Sequence, residues 1–380
     1  MDNEKNLLNM IQNKQRKILY ITSRADFGGG PLHVDDLIKY FIEFFDVYCA
    51  SPVEPPYGTK WQSELKRFHH FKIPHRKFTT KDLFALIRFI KQNEIKLIHA
   101  HGKGAGLYAR LVKLFNPNLK VIFTFHGFHP DTYKLFSRIL YIWYEKVAAV
   151  FTDHFINVSY SENDMCLKYK LFAPSKASII YNGIKSTNPI HQNKIEARKA
   201  LGLDLDKFII VSANRFDEQK NIILVLRIAK LLINYKYIIF LLLGDGEQFE
   251  MINDLSQKDH LSNIHFVGYK SNVQEFLEAS DLYLATSIGE ALGYSLIEAC
   301  RASLPILATN VRGHNEIVIE NYNGYLFELN DAKKASTIIE KLISENKELI
   351  KLGLNGKKYY EKNFEINSTY KNISNVYSKY

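Results

Sequence analysis

With 380 residues, 46% of them hydrophobic, the chain exceeds one ordinary core and predicts about two globular domains, while no apolar run reaches the roughly 18–20 residues of a membrane span. The N-terminal stretch up to Lys17 lacks an apolar core, so no secretory signal is expected; the three dispersed cysteines Cys49, Cys166 and Cys300 have no metal-type spacing and suit a reducing cytoplasm. The net charge of +10 is unevenly held: residues 1–200 carry 30 Lys+Arg against 17 Asp+Glu, and residues 201–380 carry 20 against 23. No nucleic-acid motif accompanies that charge, so a nucleic-acid partner is not expected.

Strand-like runs alternate with amphipathic helical stretches throughout. The first series opens at Lys17–Ile21 with a helix from about Pro31, then Leu97–His99 with a helix from about Gly104, then Val121–Phe125, Phe155–Val158 and Ala177–Ile180. A second series runs through Phe208–Ser212, Ile238–Leu243, Ile264–Val267, Leu282–Thr286 and Ile306–Thr309, with a helix over Asn221–Leu232. The longest apolar run, from Tyr237 to Leu243, ends at Gly244 and reads as a central strand. This alternation predicts an α/β protein with parallel sheets covered by helices on both faces. The polar stretch Asn182–Asn193 is the expected linker, giving domains over 15–182 and 183–362. Two Rossmann-like domains would face each other across a cleft, with ligands at the carboxyl ends of the strands.

Chemistry concentrates in Ser287–Cys300, SIGEALGYSLIEAC, where Glu290 and Glu298 flank seven residues running from a Gly-containing loop into a helix. Backbone N–H groups of Ala291, Leu292 and Gly293 would lie at the positive end of that helix, an anion site. Carboxylates beside such a site suit hydroxyl groups better than the anion itself. Two polyol acceptors about one phosphate site describe a nucleotide sugar. Arg215 and Lys220, at a strand end and helix start, could hold a diphosphate or form an ordinary salt-bridged cap with Asp217 and Glu218.

Other candidates keep two readings each. Gly28, Gly29 and Gly30 lack the residues of a P-loop or dinucleotide fingerprint; they could admit a donor phosphate or an acceptor, or form a plain turn. His126, in Phe-His-Gly after a strand, could face a ligand or bond backbone carbonyls. Gly268 and Tyr269 could border a nucleobase, and Gly244-Asp-Gly-Glu247 is a strand-end loop; both could be structural. Arg301 and Glu316 read as structural. His99-x-His101 and His126-x-x-His129 lack cysteine partners or an H-E-x-x-H helix, so a metal site is not expected. The basic, aromatic-rich segment 60–96, including Lys66 and Arg67, could meet anionic lipid headgroups; Leu83, Leu86 and Ile90 equally suit the buried face of an ordinary helix.

In order along the chain stand FGGGPLH (27–33), IHAHGKGAG (98–106), FTFHGFHP about His126, YNGI (181–184), SANRFDEQKN (212–221), LLLGDGE ending at Glu247, HFVGY (265–269), the E-x7-E block, RGHNEIV and NGYLF (323–327). This series resembles the retaining glycosyltransferases of family 4, group 1, over most of the chain from about Lys17. The resemblance implies a GT-B fold with an acceptor-binding first domain, a donor-binding second domain and a last helix, 363–380, returning to the first. It implies hexosyl transfer from a nucleotide diphosphate sugar to a glycan or lipid-linked saccharide, without a cofactor or required metal. In resembling enzymes the counterpart of His126 contacts a sugar hydroxyl near the reacting centre, which favours its functional reading and the phosphate reading of Arg215 and Lys220. A role in surface polysaccharide assembly (O-antigen, lipopolysaccharide or capsule), with the protein cytoplasmic or peripheral on the inner membrane, is the corresponding expectation. The rivals are a sugar-nucleotide epimerase or hydrolase of the same fold and a silent glycan- or lipid-binding subunit. Ala291, Ser303 and Arg312 stand where the family usually has glycine, which bears on donor detail and not on fold.

Overall fold

The computed structural model describes residues 16–63 and 69–380. It gathers into two compact units, Met1–Asn182 with Thr369–Tyr380, and Gly183–Ser368. The first holds strands β1 (Lys17–Thr22), β2 (Asp46–Ser51), β3 (His69–Lys72), β4 (Leu97–His101), β5 (Lys120–Thr124), β6 (His154–Asn157) and β7 (Ala177–Ile179). Their order across the sheet is β3-β2-β1-β4-β5-β6-β7, every pairing parallel. The second holds β8 (Phe208–Ala213), β9 (Ile238–Leu243), β10 (Ile264–Gly268), β11 (Leu282–Ala285), β12 (Ile306–Thr309) and β13 (Gly324–Phe327), ordered β10-β9-β8-β11-β12-β13 and again all parallel. Both follow the doubly wound pattern, in which winding reverses between the first and fourth strands and leaves an opening at their carboxyl ends. That opening lies between β1 and β4 in one unit and between β8 and β11 in the other.

The strands form where the sequence is continuously apolar, because a parallel sheet is buried on both faces. Residues of β4 and β11 are all buried. β3 carries no such signal: it is His-His-Phe-Lys, an edge strand whose terminal residues are exposed. The Ile238–Leu243 strand is interior but lies next to the edge strand β10. Helix starts are chemically marked: Ser159 and Asn193 accept hydrogen bonds from the backbone N–H groups of Glu162 (3.1 Å) and Glu196 (3.0 Å), the serine or asparagine preceding glutamate by three residues as in a capping box.

Helix Thr80–Gln92 buries Leu83, Leu86 and Ile90, so the apolar stripe of the basic segment faces the core of the first unit; Lys66 and Arg67 lie outside the described residues. The chain rejoins the first unit at Thr369, inside helix Ile366–Tyr377 and later than Asn363. There Tyr377 is fully buried against Phe41 and Phe45, and its hydroxyl lies 2.6 Å from His99 Nδ1. Tyr370 stacks on Tyr40 and donates to the Asp36 carbonyl at 3.2 Å.

Candidate active site

The second unit brings Lys220 and Glu290 together from the two strands that flank its opening. After β8 the chain turns through Asp217, which accepts the Lys220 backbone N–H on Oδ1 (3.0 Å), and Asn221 starts helix Ile222–Leu231 with φ 50° and ψ 50°. Asparagine is among the few residues that enter this left-handed region cheaply. After β11 the loop Thr286–Gly289 is laced to the first: Thr286 Oγ1 donates to the Lys220 carbonyl (2.9 Å), Ile288 N to the Gln219 carbonyl (2.9 Å), and Gln219 Nε2 to the Gly289 carbonyl (2.8 Å). Across this lacing the Lys220 ammonium pairs with the Glu290 carboxylate, which also accepts from Ser287 Oγ at 2.9 Å. Burial pushes the Glu290 carboxyl up, but the adjoining ammonium and the hydroxyl overcome it and hold it below the usual range.

The remaining parts lie around this pair. Arg215 is half exposed and paired with Asp217 at 2.6 Å, so it forms one bond of the cap reading, whereas the Lys220 side chain turns to Glu290. Ala291, Leu292 and Gly293 lead into helix Tyr294–Arg301, whose cap residue Gly293 supplies no side chain; the first N–H groups of a helix have no partner within it. Glu298, partly buried on that helix, has its carboxyl raised by burial, with Arg301 pulling the other way. Both glutamates bear on the phenol of Tyr283, which burial pushes upward. His314 is buried with Nδ1 3.1 Å from Thr309 Oγ1, and burial lowers it to about 4 against the pull of Glu290. Arg301 donates to the Lys185 carbonyl at 2.9 Å, a structural contact.

Ala213, Leu243 and Gly268 are in register across β8, β9 and β10, so Gly268 and exposed Tyr269 sit on the same sheet edge as the β8 loop. Gly244 and Gly246 have a structural use: a Cβ would lie 1.8 Å from the Asn214 carbonyl oxygen at one and 2.5 Å from that of Phe216 at the other. They let the backbone leading to Arg215 run against the β9 loop, where Phe216 N donates to Asp245 O at 3.0 Å.

Glycines around Glu290 divide into two kinds. Gly313 has φ +87°, and a Cβ there would come within 2.7 Å of the Glu290 carbonyl oxygen and 2.8 Å of its Cβ. At Gly289 a Cβ would meet nothing within 4 Å. Gly313→Ala should therefore cost about 2–4 kcal/mol in urea unfolding and displace Glu290, while Gly289→Ala should stay within about 1 kcal/mol of wild type. Equal urea midpoints for the two variants would contradict this packing.

In the first unit His126, at φ 54°, turns the chain after β5. The turn is anchored by Glu162, which sequence reasoning did not single out although Ser159-x-x-Glu162 marks it: its Oε1 accepts from Gly127 N (2.6 Å) and Phe128 N (3.2 Å), and its Oε2 from Val158 N (3.0 Å). His126 Nε2 lies 3.0 Å from His101 Nδ1 and Nδ1 lies 3.5 Å from Asn182 Nδ2; burial, then Arg24, lowers the ring to about 3. His33 packs edge-on against both His101 and His126. Gly29 and Gly30 open helix Gly29–Phe41, and a Cβ at Gly30 would stand 3.7 Å from the His126 ring. His99 bonds Tyr377 and Thr124 Oγ1 (2.9 Å), so these histidines form an internal polar ladder. Among the described residues no group of three or more His, Cys, Asp or Glu is placed to hold a metal ion, and no helix is long and apolar enough to cross a membrane.

Solved structures share this architecture. The Anabaena protein Alr3699/HepE, crystallised with UDP and glucose, superposes with a TM-score of 0.83 at 16% identity, covering 96% of this chain and 100% of that one. The fold is GT-B, built from two Rossmann-like units. Residues 27–187 match the model of Glycosyltransferase Family 4, and residues 193–359 that of Glycosyl transferases group 1. The uncharacterized glycosyltransferase MJ1178 of Methanocaldococcus jannaschii is 30% identical over 351 residues, 88% of this chain and 90% of that one. An Escherichia coli UDP-Gal:alpha-D-GlcNAc-diphosphoundecaprenol alpha-1,3-galactosyltransferase is 28% identical over 263 residues, 66% of this chain and 67% of that one. The chain belongs to the group 1 glycosyltransferases of family 4 and is a transferase of glycosyl units.

Proposed function

We propose that the protein moves a hexosyl unit, with retention, from a nucleotide diphosphate sugar to a hydroxyl of a glycan or lipid-linked saccharide during bacterial surface polysaccharide synthesis. The observation that carries this reading is the buried Lys220–Glu290 pair, set at the ends of β8 and β11 beside the start of helix Tyr294–Arg301. Glu290 would take the hexose hydroxyls, Glu298 the ribose, and Arg215, Lys220 and the N–H groups of Ala291, Leu292 and Gly293 the diphosphate. Gly268 and Tyr269 would border the base. In the first unit His126 would exchange its long Asn182 contact for a sugar hydroxyl, with Gly29 and Gly30 leaving room for close approach. The relative from Escherichia coli uses UDP-Gal and a diphosphoundecaprenol-linked sugar, and the Anabaena structure holds UDP and glucose, which supports a UDP-sugar and a lipid-linked acceptor.

In the step itself the acceptor hydroxyl oxygen bonds the anomeric carbon as the bond from that carbon to the phosphate oxygen breaks. The hydroxyl proton passes to the departing phosphate on the same face, releasing the nucleoside diphosphate. Charge grows on the leaving group, so cations and N–H groups fixed around it favour the transition state over the ground state. These groups take the neutralising role, and no metal is proposed for the chemistry. Neither glutamate is assigned as a nucleophile, because a hydrolase-type pair would be about 5 Å apart about the anomeric carbon and both have better use as hydroxyl acceptors. The protein would work in the cytoplasm, at the inner membrane surface.

The test is a thermal-shift panel of UDP- and GDP-sugars, followed by turnover of the best binder with and without acceptor. One donor raising the melting temperature, with little acceptor-free hydrolysis, is expected. Rapid donor loss without acceptor would indicate an epimerase or hydrolase, and no shift with any donor a silent subunit. Full activity in all of Glu290→Gln, Arg215→Ala and Lys220→Ala would overturn the residue roles.

A further inference from the structure

Helix Leu135–Ala148 of the first unit is amphipathic with its apolar side outward. Phe136, Ile139, Leu140, Trp143 and Val147 recur at helical spacing, the stripe continues to Val150, and Leu135 adjoins it; all are exposed, Phe136 by 73%, Trp143 by 65% and Val150 by 72%. Such a period normally marks the side that packs into a core. The inner side instead holds Tyr141 and Ile142, partly buried against the first core, and Glu145, buried with its Oε2 2.9 Å from Arg110; Tyr141 also lies under Lys103. A contiguous outward stripe of this size is rare on soluble monomers unless something covers it.

Charge identifies the cover. Lys134 and Lys146 are exposed beside the stripe and Arg138 is partly exposed, while the helix's one carboxylate, Glu145, is turned inward and neutralised by Arg110. The nearest exposed acid, Asp131, is engaged by Arg138 and by the Tyr169 hydroxyl. An apolar stripe with a central tryptophan, flanked by cations and free of outward acid, matches the boundary between anionic headgroups and acyl chains. We infer that helix Leu135–Ala148 with Val150 is an in-plane docking surface for an anionic lipid bilayer. It deepens the lipid-linked acceptor reading and rests on that reading for its purpose: it would hold the first unit where such an acceptor is anchored. It also transfers the membrane contact from segment 60–96, whose Leu83, Leu86 and Ile90 are in the core.

The test uses the full chain with vesicles of phosphatidylglycerol or of phosphatidylcholine. The chain has two tryptophans, and Trp61 is fully buried, so an emission shift on adding vesicles reports Trp143. Cosedimentation with phosphatidylglycerol vesicles and a blue shift are expected, both weaker with phosphatidylcholine. Trp143→Phe should abolish the shift and keep the cosedimentation. The triple variant Phe136→Ser, Ile139→Ser, Trp143→Ser should lower partitioning by roughly tenfold or more, the scale of withdrawing three large apolar side chains from a lipid phase. The proposal fails if the wild type stays in the supernatant, if the triple variant binds vesicles like wild type, or if the triple variant converts a dimer to a monomer with vesicle binding unaltered, which assigns the face to a second copy. Donor-induced thermal shifts, measured on the same variants without lipid, should match wild type; loss of vesicle binding with intact donor shifts separates this surface from the donor reading.

Discussion

Lys220→Met is expected to destabilise the second unit by about 3–5 kcal/mol and to abolish donor-induced stabilisation. The side chains of the Lys220–Glu290 pair are only 17% and 12% exposed, and removing one partner from a buried pair strands the other charge. Without the ammonium, burial prevails at Glu290 and its carboxyl titrates above the usual range instead of below it. The sign follows. In the wild type the lowered carboxyl contributes stability above an unfolded value of about 4.3, lost as pH falls through the folded value. In Lys220→Met the raised carboxyl is least unfavourable when protonated, so the deficit should shrink on going from pH 7.5 to pH 5. Lys220→Met with Glu290→Gln should recover part of the loss at pH 7.5, giving a coupling energy of about 2–3 kcal/mol, the upper range for contacting pairs. Far-UV circular dichroism in urea is the measurement, because both tryptophans report the first unit. A coupling near zero would mean the pair contributes nothing.

Acid should open the first unit before the second. His33, His99 and His101 are held well below their ordinary value by burial and then by neighbouring histidines, and His126 is lowered to about 3 by burial and then by Arg24. Nε2 of His33 and of His101 is buried with no hydrogen-bond partner among the described residues, so no contact there favours the cation. A histidine neutral when folded and free to protonate when unfolded costs about 1.4 kcal/mol per pH unit below about 6.5. Stability is full above that pH and lost as pH falls toward the folded values. By pH 5 that is about 2 kcal/mol for His126, and His33, His99 and His101 act in the same direction. Tryptophan emission should therefore change steeply between about pH 6 and pH 5, with helix and strand signal from the second unit persisting. Emission unchanged down to about pH 4.5 would show that the cluster accepts protons while folded.

Sequence reasoning worked where one physical cause dominated. Continuous apolar runs had to become buried parallel strands, so Ile238–Leu243 and Ile306–Thr309 are found at those bounds. It failed where contacts between distant segments decide. His99 and His101, two apart on β4, point to one face, and what they meet is Tyr377 and His126, far along the chain. Glu290 was legible as a loop carboxylate beside a helix start, but its Lys220 partner comes from the lacing of the β8 and β11 loops. Helix Leu135–Ala148 has the period of a core helix, but Glu145, meeting Arg110, faces inward with Tyr141 and Ile142, leaving the stripe outside. β3 had no signal because an edge strand needs only a partner's backbone.

The return of Thr369–Tyr380 to the first unit has a consequence for synthesis. The residues that complete the first core leave the ribosome after the entire second unit. Until Tyr377 arrives, the space between Phe41, Phe45 and His99 is unfilled and the hydroxyl that meets His99 Nδ1 is missing. Domains generally fold in the order in which they emerge, but here the nascent first unit must wait, its sheet formed and its core open, and the second can finish ahead of it. Released chains truncated after Ser368 should accordingly expose a protease-sensitive first unit and a protected second one.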